Sequence, residues 1–263
     1  MAIDNILINV ADVQRSVDFY TTFLDAQVLG KVTDERADLD LVTATITLVH
    51  ATGSAASTWI PDDLHKGFRH VGFKVAAVDP MVAVLEAANV EFHLRPIDAE
   101  GEVRITFFYD PDGTLLELVE GDLQYHEILD EAGVAKERAL GVPERPRFDH
   151  IGVTIDSVQA SEQRYAPFGF VNIGAIHQPS DPRGFDINYL KGGDTVLEVF
   201  TFTAAKADRV PQVDAPGFVG VRLTPGQDAA TVDPTSIGTL VGTALDGRLV
   251  YADTDGLAFS SAR

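Results

Sequence analysis

Cysteine is absent, so no disulfide ties this chain together and no thiolate can bind metal or act as a nucleophile. A reducing, cytoplasmic setting is expected on that ground. Bases are scarce: twenty Lys and Arg stand against forty Asp and Glu, a formal charge of −20. A surface of that sign repels nucleic acid and anionic lipid, so neither is expected as a partner. The acids are scattered rather than gathered in a tail, which reads as a solubilising surface. Long apolar runs are missing as well. The longest are of strand length, so no membrane span is expected. The start, Met1-Ala2-Ile3-Asp4, has neither a basic region nor the apolar stretch of an export signal. There is no glycine-rich phosphate loop and no clear basic cradle for a coenzyme A tail. What is present is an apolar content of 45% in 263 residues, enough for one large core or two of ordinary size.

The most informative positive feature is a repeat. Arg69-His70-Val71-Gly72-Phe73-Lys74-Val75 and Asp149-His150-Ile151-Gly152-Val153-Thr154-Ile155 say nearly the same thing. Each opens a unit that closes on a glutamate in an apolar strand, Leu116-Glu117-Leu118 and Leu197-Glu198-Val199. The His-to-Glu separation is 47 residues in one unit and 48 in the other. Two weaker copies flank this pair, starting at Asn5-Ile6-Leu7-Ile8-Asn9-Val10 and at Phe218-Val219-Gly220-Val221-Arg222-Leu223. In all four the apolar residues alternate, as they do on one face of a strand, with the His, Asn or Phe on the other face.

A helix is expected after each strand. Asp12 can cap the first, with Val13, Val17, Tyr20 and Leu24 on its stripe. Asp79-Pro80 supplies a cap and a first-turn proline for the second, Ser157 caps a third, and Asp233-Pro234 opens a fourth bearing Ile237, Leu240, Val241 and Leu245. Three extended segments then complete each unit. The best marked pair flanks the turn Asp110-Pro111-Asp112-Gly113, repeated as Asp253-Thr254-Asp255-Gly256. The units span 1–60, 66–124, 146–205 and 214–263. Two domains follow, 1–124 and 143–263, joined by a partly helical linker, 125–142.

This pattern resembles the vicinal oxygen chelate superfamily, which includes glyoxalase I, methylmalonyl-CoA epimerase, fosfomycin-resistance enzymes, bleomycin-binding proteins and extradiol dioxygenases. The resemblance covers essentially the whole chain. It implies an α+β fold in which four βαβββ modules form two cupped mixed β-sheets, with a metal on the concave side. The ligands it implies are the first-strand His and last-strand Glu of each unit: His70 and Glu117, then His150 and Glu198. Unit one has Asn5 and Thr47 in these places, and unit four has Phe218 and Ser260. Pairing in chain order leaves each cup one His and one Glu. Pairing unit two with three, and one with four, gathers all four ligands in one cup, resembles fused and swapped glyoxalase-type proteins, and is the arrangement expected here.

Two neutral imidazoles and two carboxylates suit one divalent ion, with Ni, Co, Zn, Mn and Fe(II) all compatible. The resemblance implies that Glu198 or Glu117 serves as general base, in an isomerase, epimerase or lyase that works through an enediolate on a small vicinal-oxygen substrate. Tyr109 and Tyr189, in matching places before their hairpins, and His93, Arg95 and His177 are candidate substrate contacts. Arg183, His50 and His65 read as loop residues, Tyr125-His126 as structural or exposed, and Trp59 as a half-buried connector. A competing expectation is a metal-free binding protein of bleomycin-resistance type, for which the charge of −20 favours a cationic ligand. An extradiol-type dioxygenase ranks lower, because unit four offers no ligands. Units one and four could also form a separate apolar pocket floored by Phe218. Monomer and homodimer are both compatible with four fused units.

Overall fold

The computed structural model describes residues 2–52, 56–226 and 231–261. Unit one contains β1 (Ile3–Val10), α1 (Val13–Leu24), β2 (Gln27–Leu29), β3 (Arg36–Asp40) and β4 (Thr45–His50). Unit two contains β5 (Gly67–Lys74), α2 (Val78–Ala87), β6 (Phe92–Ala99), β7 (Val103–Tyr109) and β8 (Leu115–Glu120). The connecting segment holds a short strand, β9 (Glu127–Ile128), and the helix α3 (Glu131–Arg138). Unit three contains β10 (Arg147–Thr154), α4 (Val158–Tyr165), β11 (Val171–Gln178), β12 (Phe185–Gly192) and β13 (Thr195–Phe202). Unit four contains β14 (Gly217–Leu223), β15 (Thr239–Thr243), β16 (Leu249–Ala252) and β17 (Ala258–Ser261).

Two mixed sheets result. One has nine strands in the order β6-β7-β8-β5-β10-β13-β12-β11-β9, and the other has eight in the order β15-β16-β17-β14-β1-β4-β3-β2. Unit two therefore pairs with unit three through β5 and β10, and unit one with unit four through β1 and β14. Each sheet draws one unit from each half of the chain.

The helices form where the caps and stripes are strong. The Asp12 carboxylate accepts from the Arg15 N–H at 2.9 Å, and Val13, Val17, Tyr20 and Leu24 are buried behind it. Ser157 accepts from Ala160 N–H at 3.3 Å to open α4. The cap of α2 differs from the expectation at Asp79. Ala77 holds that position without a side-chain bond, and the Val78 N–H donates instead to Glu120 at 2.8 Å, while Asp79 pairs with Arg104. The fourth helix is replaced by a single 3-10 turn, Pro234–Ser236, capped by Asp233. The segment after it is rich in Gly and Thr, poor helix formers, and Leu240 lies in β15 with half its surface in solvent.

One continuous core takes in Ile6, Ile8, Tyr20, Leu48, Val71, Phe73, Leu118, Ile151, Leu197, Val221 and Phe259, from both sheets and their helices. Two Asp-x-Asp-Gly hairpins fasten the sheets across it. Asp110 of unit two accepts from the Tyr20 hydroxyl of unit one at 2.8 Å, and Asp253 of unit four accepts from the Tyr165 hydroxyl of unit three at 2.6 Å. Among the described residues no helix is long and apolar enough to cross a membrane.

Candidate metal centre

The two histidines sit on the central antiparallel pair, β5 and β10. The register sets His70 opposite Gly152 and His150 opposite Gly72. Each ring lies over the glycine of the other strand. A Cβ on Gly72 would stand 2.1 Å from the His150 ring, and one on Gly152 would stand 2.2 Å from the His70 ring. The glycine two places after each histidine is thus the space the opposite histidine occupies. The flanking strands bring in the carboxylates: β8 runs parallel to β5 with Glu117 beside Gly72, and β13 runs parallel to β10 with Glu198 beside Gly152.

The four side chains converge. The His70 and His150 Nε2 atoms are 3.0 Å apart. Glu117 Oε2 lies 2.8 Å from His150 Nε2 and 3.1 Å from His70 Nε2. Glu198 Oε2 lies farther out, at 3.2 Å from His70 and 3.4 Å from His150. All four residues are buried, and one ligand atom from each falls within 4.8 Å of the other three. Burial alone would raise Glu117, yet the imidazoles of His70 and His150 draw it down to about 2. Burial alone would lower His150, yet Glu198, Asp149 and Glu117 hold it well above the usual imidazole value.

The donor set fits a divalent cation. Two carboxylates balance its charge, and two imidazoles present their Nε2 atoms to the same point. His150 is oriented for that role: its Nδ1 lies 3.0 Å from Asp149 Oδ2, the carboxylate–histidine arrangement that fixes the tautomer of a ligand. Asp149 is itself drawn down to about 2, its burial outweighed by the hydrogen bond and charge of His150. His70 Nδ1 is buried with no partner.

A β-bulge brings Asp149 there. The β5–β10 register skips Asp149 on one strand and Arg69 on the other. Each residue just before a histidine is thereby released from strict alternation and lines the concave side. Simple alternation puts both on the core face, so neither was legible as a site residue.

The cup above the ligands encloses about 680 Å³. Its walls are largely apolar, including Phe107, Phe185, Ile187 and Phe200, with Arg69, Lys74 and Arg183 among them. Arg183, read as a loop residue, thus contributes to the wall while paired with Asp63 and Asp181. Of the candidate substrate contacts, Tyr189 lines this cup, opposite Glu198 on the neighbouring strand. Its phenol is held well above the usual value, first by burial and then by the Glu198 charge. The register puts Phe107, not Tyr109, in the matching place opposite Glu117. Tyr109 and His93 lie 3.1 Å apart beyond the cup's described lining, exposed Arg95 pairs with Glu86, and His177 pairs with Asp186 at 2.7 Å at the outer end of β11. Tyr125 packs edge-on against Tyr189, its hydroxyl on Glu137 at 2.6 Å, and the Trp59 indole donates to the Phe68 carbonyl at 3.1 Å.

The second cup has the same frame with other chemistry. Asn5 stands where His70 does, and Thr47, beside Leu7, stands where Glu117 does. Val219 is the bulge residue of β14 as Asp149 is of β10, so Gly220, not Phe218, occupies the position of His150, with Ser260 at that of Glu198. Phe218 instead stacks on Phe68 of the other sheet, ring centroids 3.7 Å apart. It does not floor an apolar pocket in this cup, whose lining includes Asp4, Arg222, Asp246, Arg248 and Ser260. Asn5 donates to Thr47 at 2.9 Å and accepts from Arg248.

Comparison with known proteins agrees with this frame. Residues 2–118 match the model of the Glyoxalase/Bleomycin resistance protein/Dioxygenase superfamily. Glyoxalase I from Zea mays (V278E mutant) superposes with a TM-score of 0.65 at 16% identity, over 98% of this chain and 91% of that one. A putative dioxygenase from Bacillus subtilis superposes with a TM-score of 0.59 at 16% identity, over 100% of this chain and 84% of that one. At such identities the likeness is one of fold. In sequence, the uncharacterised protein YaeR of Escherichia coli (strain K12) is 46% identical over 54 residues. That match spans 20% of this chain and 42% of YaeR, less than half of the relative's length. Residues 2–118 thus match the glyoxalase/bleomycin resistance/dioxygenase, or vicinal oxygen chelate, superfamily, and the chain as a whole shares the fold of glyoxalase I.

Proposed function

We propose that the protein is a metal-dependent, glyoxalase-like enzyme, an isomerase, epimerase or lyase, acting on a small substrate with adjacent oxygens. The observation that carries this reading is the convergence of His70, Glu117, His150 and Glu198 at the foot of a roomy cup. These four residues would hold the ion, whose identity among Ni, Co, Zn, Mn and Fe(II) stays open. When bound, it supplies Lewis-acid stabilisation of negative charge on the substrate oxygens.

The rest falls to the chain's own residues. Glu198 is the preferred base. Its contacts to the imidazoles, at 3.2 and 3.4 Å, are looser than those of Glu117, and it is slightly less buried. It takes the proton from the substrate carbon beside the carbonyl and can return it to the neighbouring carbon. Tyr189, facing Glu198, is placed to donate to whichever carboxylate oxygen is not engaged. The apolar rings of Phe107 and Phe200 exclude water from that proton.

The test is exchange of carbon-bound hydrogen in D2O, followed by NMR, for a panel of hydroxyketones and keto acids with the cobalt-loaded protein. Exchange is expected with at least one compound and should fall by about 100-fold or more in Glu198→Gln. No exchange across the panel, or exchange indifferent to Glu198, contradicts the proposal. A metal-free binder of bleomycin-resistance type is the second reading, supported by the apolar walls. It predicts ligand binding unchanged by a chelator. A dioxygenase is disfavoured because the second cup offers Asn5, Thr47, Gly220 and Ser260 in the ligand places.

A further inference from the structure

Four residues occupy the bulges that precede the ligand positions: Asp4, Arg69, Asp149 and Val219. In the metal cup the two are of opposite charge. Asp149 receives the Nδ1 side of His150. Arg69, in the equivalent place beside His70, has only donors to offer, so it cannot do the same. Two polar atoms are consequently left over on the Arg69 side, Arg69 Nη1 and His70 Nδ1, both buried without a hydrogen-bond partner. With its Nε2 turned toward Glu117, Glu198 and His150, the His70 ring carries its other proton on Nδ1 when it acts as a ligand. Both orphan atoms are then donors in want of an acceptor, which is rare in buried positions and costly to leave unmade.

The guanidinium is held ready. Its plane lies over the Phe200 ring, 4.0 Å from the centroid, and its Nη2 donates to Asp63 at 2.6 Å. The other Asp63 oxygen takes Arg183 Nη1 at 2.9 Å, and Arg183 is paired in turn with Asp181. Arg69 lines the large cup and also a neighbouring cavity of about 200 Å³, which leaves room on either side of it. The protein's overall charge of −20 opposes an anion at long range, and Asp98, Glu100, Glu137 and Asp181 in the lining of the cup add to it. Beyond about 8 Å that field is screened at physiological salt, whereas a charge-assisted bond to a fixed guanidinium acts at contact.

We propose that Arg69 is an anion-binding residue of the metal cup, and that the substrate carries an anionic oxygen group, carboxylate or phosphate, a few atoms from its metal-binding oxygens. The inference rests on the metal reading above. Its test uses three probes that share one chelating head: acetohydroxamate, which has no second charge, succinate monohydroxamate, which adds a carboxylate, and phosphonoacetohydroxamate, which adds a phosphonate. Affinities are measured by calorimetry on the full chain with and without added cobalt, for wild type, Arg69→Met and Arg69→Lys, with thermal melts to check folding.

At least one anionic probe is expected to bind wild type about 10-fold or more tightly than acetohydroxamate. The tighter of the two identifies the group. Arg69→Met should erase the preference, read as the ratio of affinities between probes within each variant, and Arg69→Lys should keep part of it. Equal affinity for all probes in wild type, the same preference in wild type and Arg69→Met, or binding of none overturns the proposal. If cobalt changes no affinity, the metal reading fails, and the preference between probes still decides Arg69. Should Arg69→Met not fold, the wild-type preference and its reduction in Arg69→Lys carry the test.

Discussion

At the scale of residues, the metal cup depends on what is missing at Gly72 and Gly152 as much as on what is present at His70 and His150. A methyl group at Gly152 overlaps the His70 ring, and no neighbour in the tightly packed strand pair can give way cheaply. Gly152→Ala is therefore expected to destabilise the protein by about 1–3 kcal/mol and to weaken metal binding through displaced His70. Calorimetric metal titration beside a denaturant melt checks both, and unchanged metal affinity would show that the ring is not where the register puts it. Asp149→Asn should lower metal affinity by about 10- to 100-fold with little change in fold, because the His150 tautomer loses its partner. The repeated His-x-Gly and the two strand glutamates were legible because equivalent residues recur at equivalent spacing. Arg69 and Asp149 were not, since a bulge overrides the two-residue alternation by which a strand is read. Phe218 was misplaced for another reason: Phe218-Val219-Gly220 imitates the His-x-Gly pattern, while the register sets Gly220 in the histidine place.

Among the elements, the two Asp-x-Asp-Gly hairpins do more than turn the chain. Asp110 Oδ1 accepts from the N–H groups of Asp112 at 2.9 Å and Thr114 at 2.7 Å, which closes the turn, while Oδ2 accepts from Tyr20 on helix α1 of unit one. Burial raises the Asp110 carboxyl from its ordinary 3.8 to about 6, against the pull of these hydrogen bonds. A carboxyl raised on folding favours the folded state while protonated. Its contribution is present below 3.8 and is lost as the pH rises through about 6. The loss is at most about 3 kcal/mol. Asp110→Asn removes this term, so the stability of the variant relative to wild type should rise across that window in melts at several pH values. A constant difference would mean that Asp110 does not titrate there. Tyr20→Phe should cost about 1–2 kcal/mol by leaving the buried carboxylate one donor short. The turns were legible from Asp, Pro and Gly alone, but their grip on a tyrosine some ninety residues away was not, because nothing local encodes a long-range partner. The absent fourth helix has the opposite cause: Asp233-Pro234 is a sound start signal, and Gly238, Thr239 and Gly242 cannot sustain what it opens.

Across the whole molecule, the crossed pairing of units concentrates one kind of chemistry in one sheet. Units two and three bring four candidate ligands together, while units one and four keep the bulges, the register and the cup but have Asn5, Thr47, Gly220 and Ser260 in the equivalent places. There a guanidinium, Arg248, bonds to Asn5 and pairs with Asp246. The pairing was legible in outline because only the crossed arrangement completes a four-ligand set. It leads to a stoichiometry: one ion per chain, all of it in the cup of units two and three. Elemental analysis of the purified protein after reconstitution with a divalent metal, beside His70→Ala and His150→Ala, tests this most directly. The account predicts about one ion per chain in wild type and loss of it in each variant. No ion in wild type, two ions, or an ion retained after either histidine is removed would contradict it.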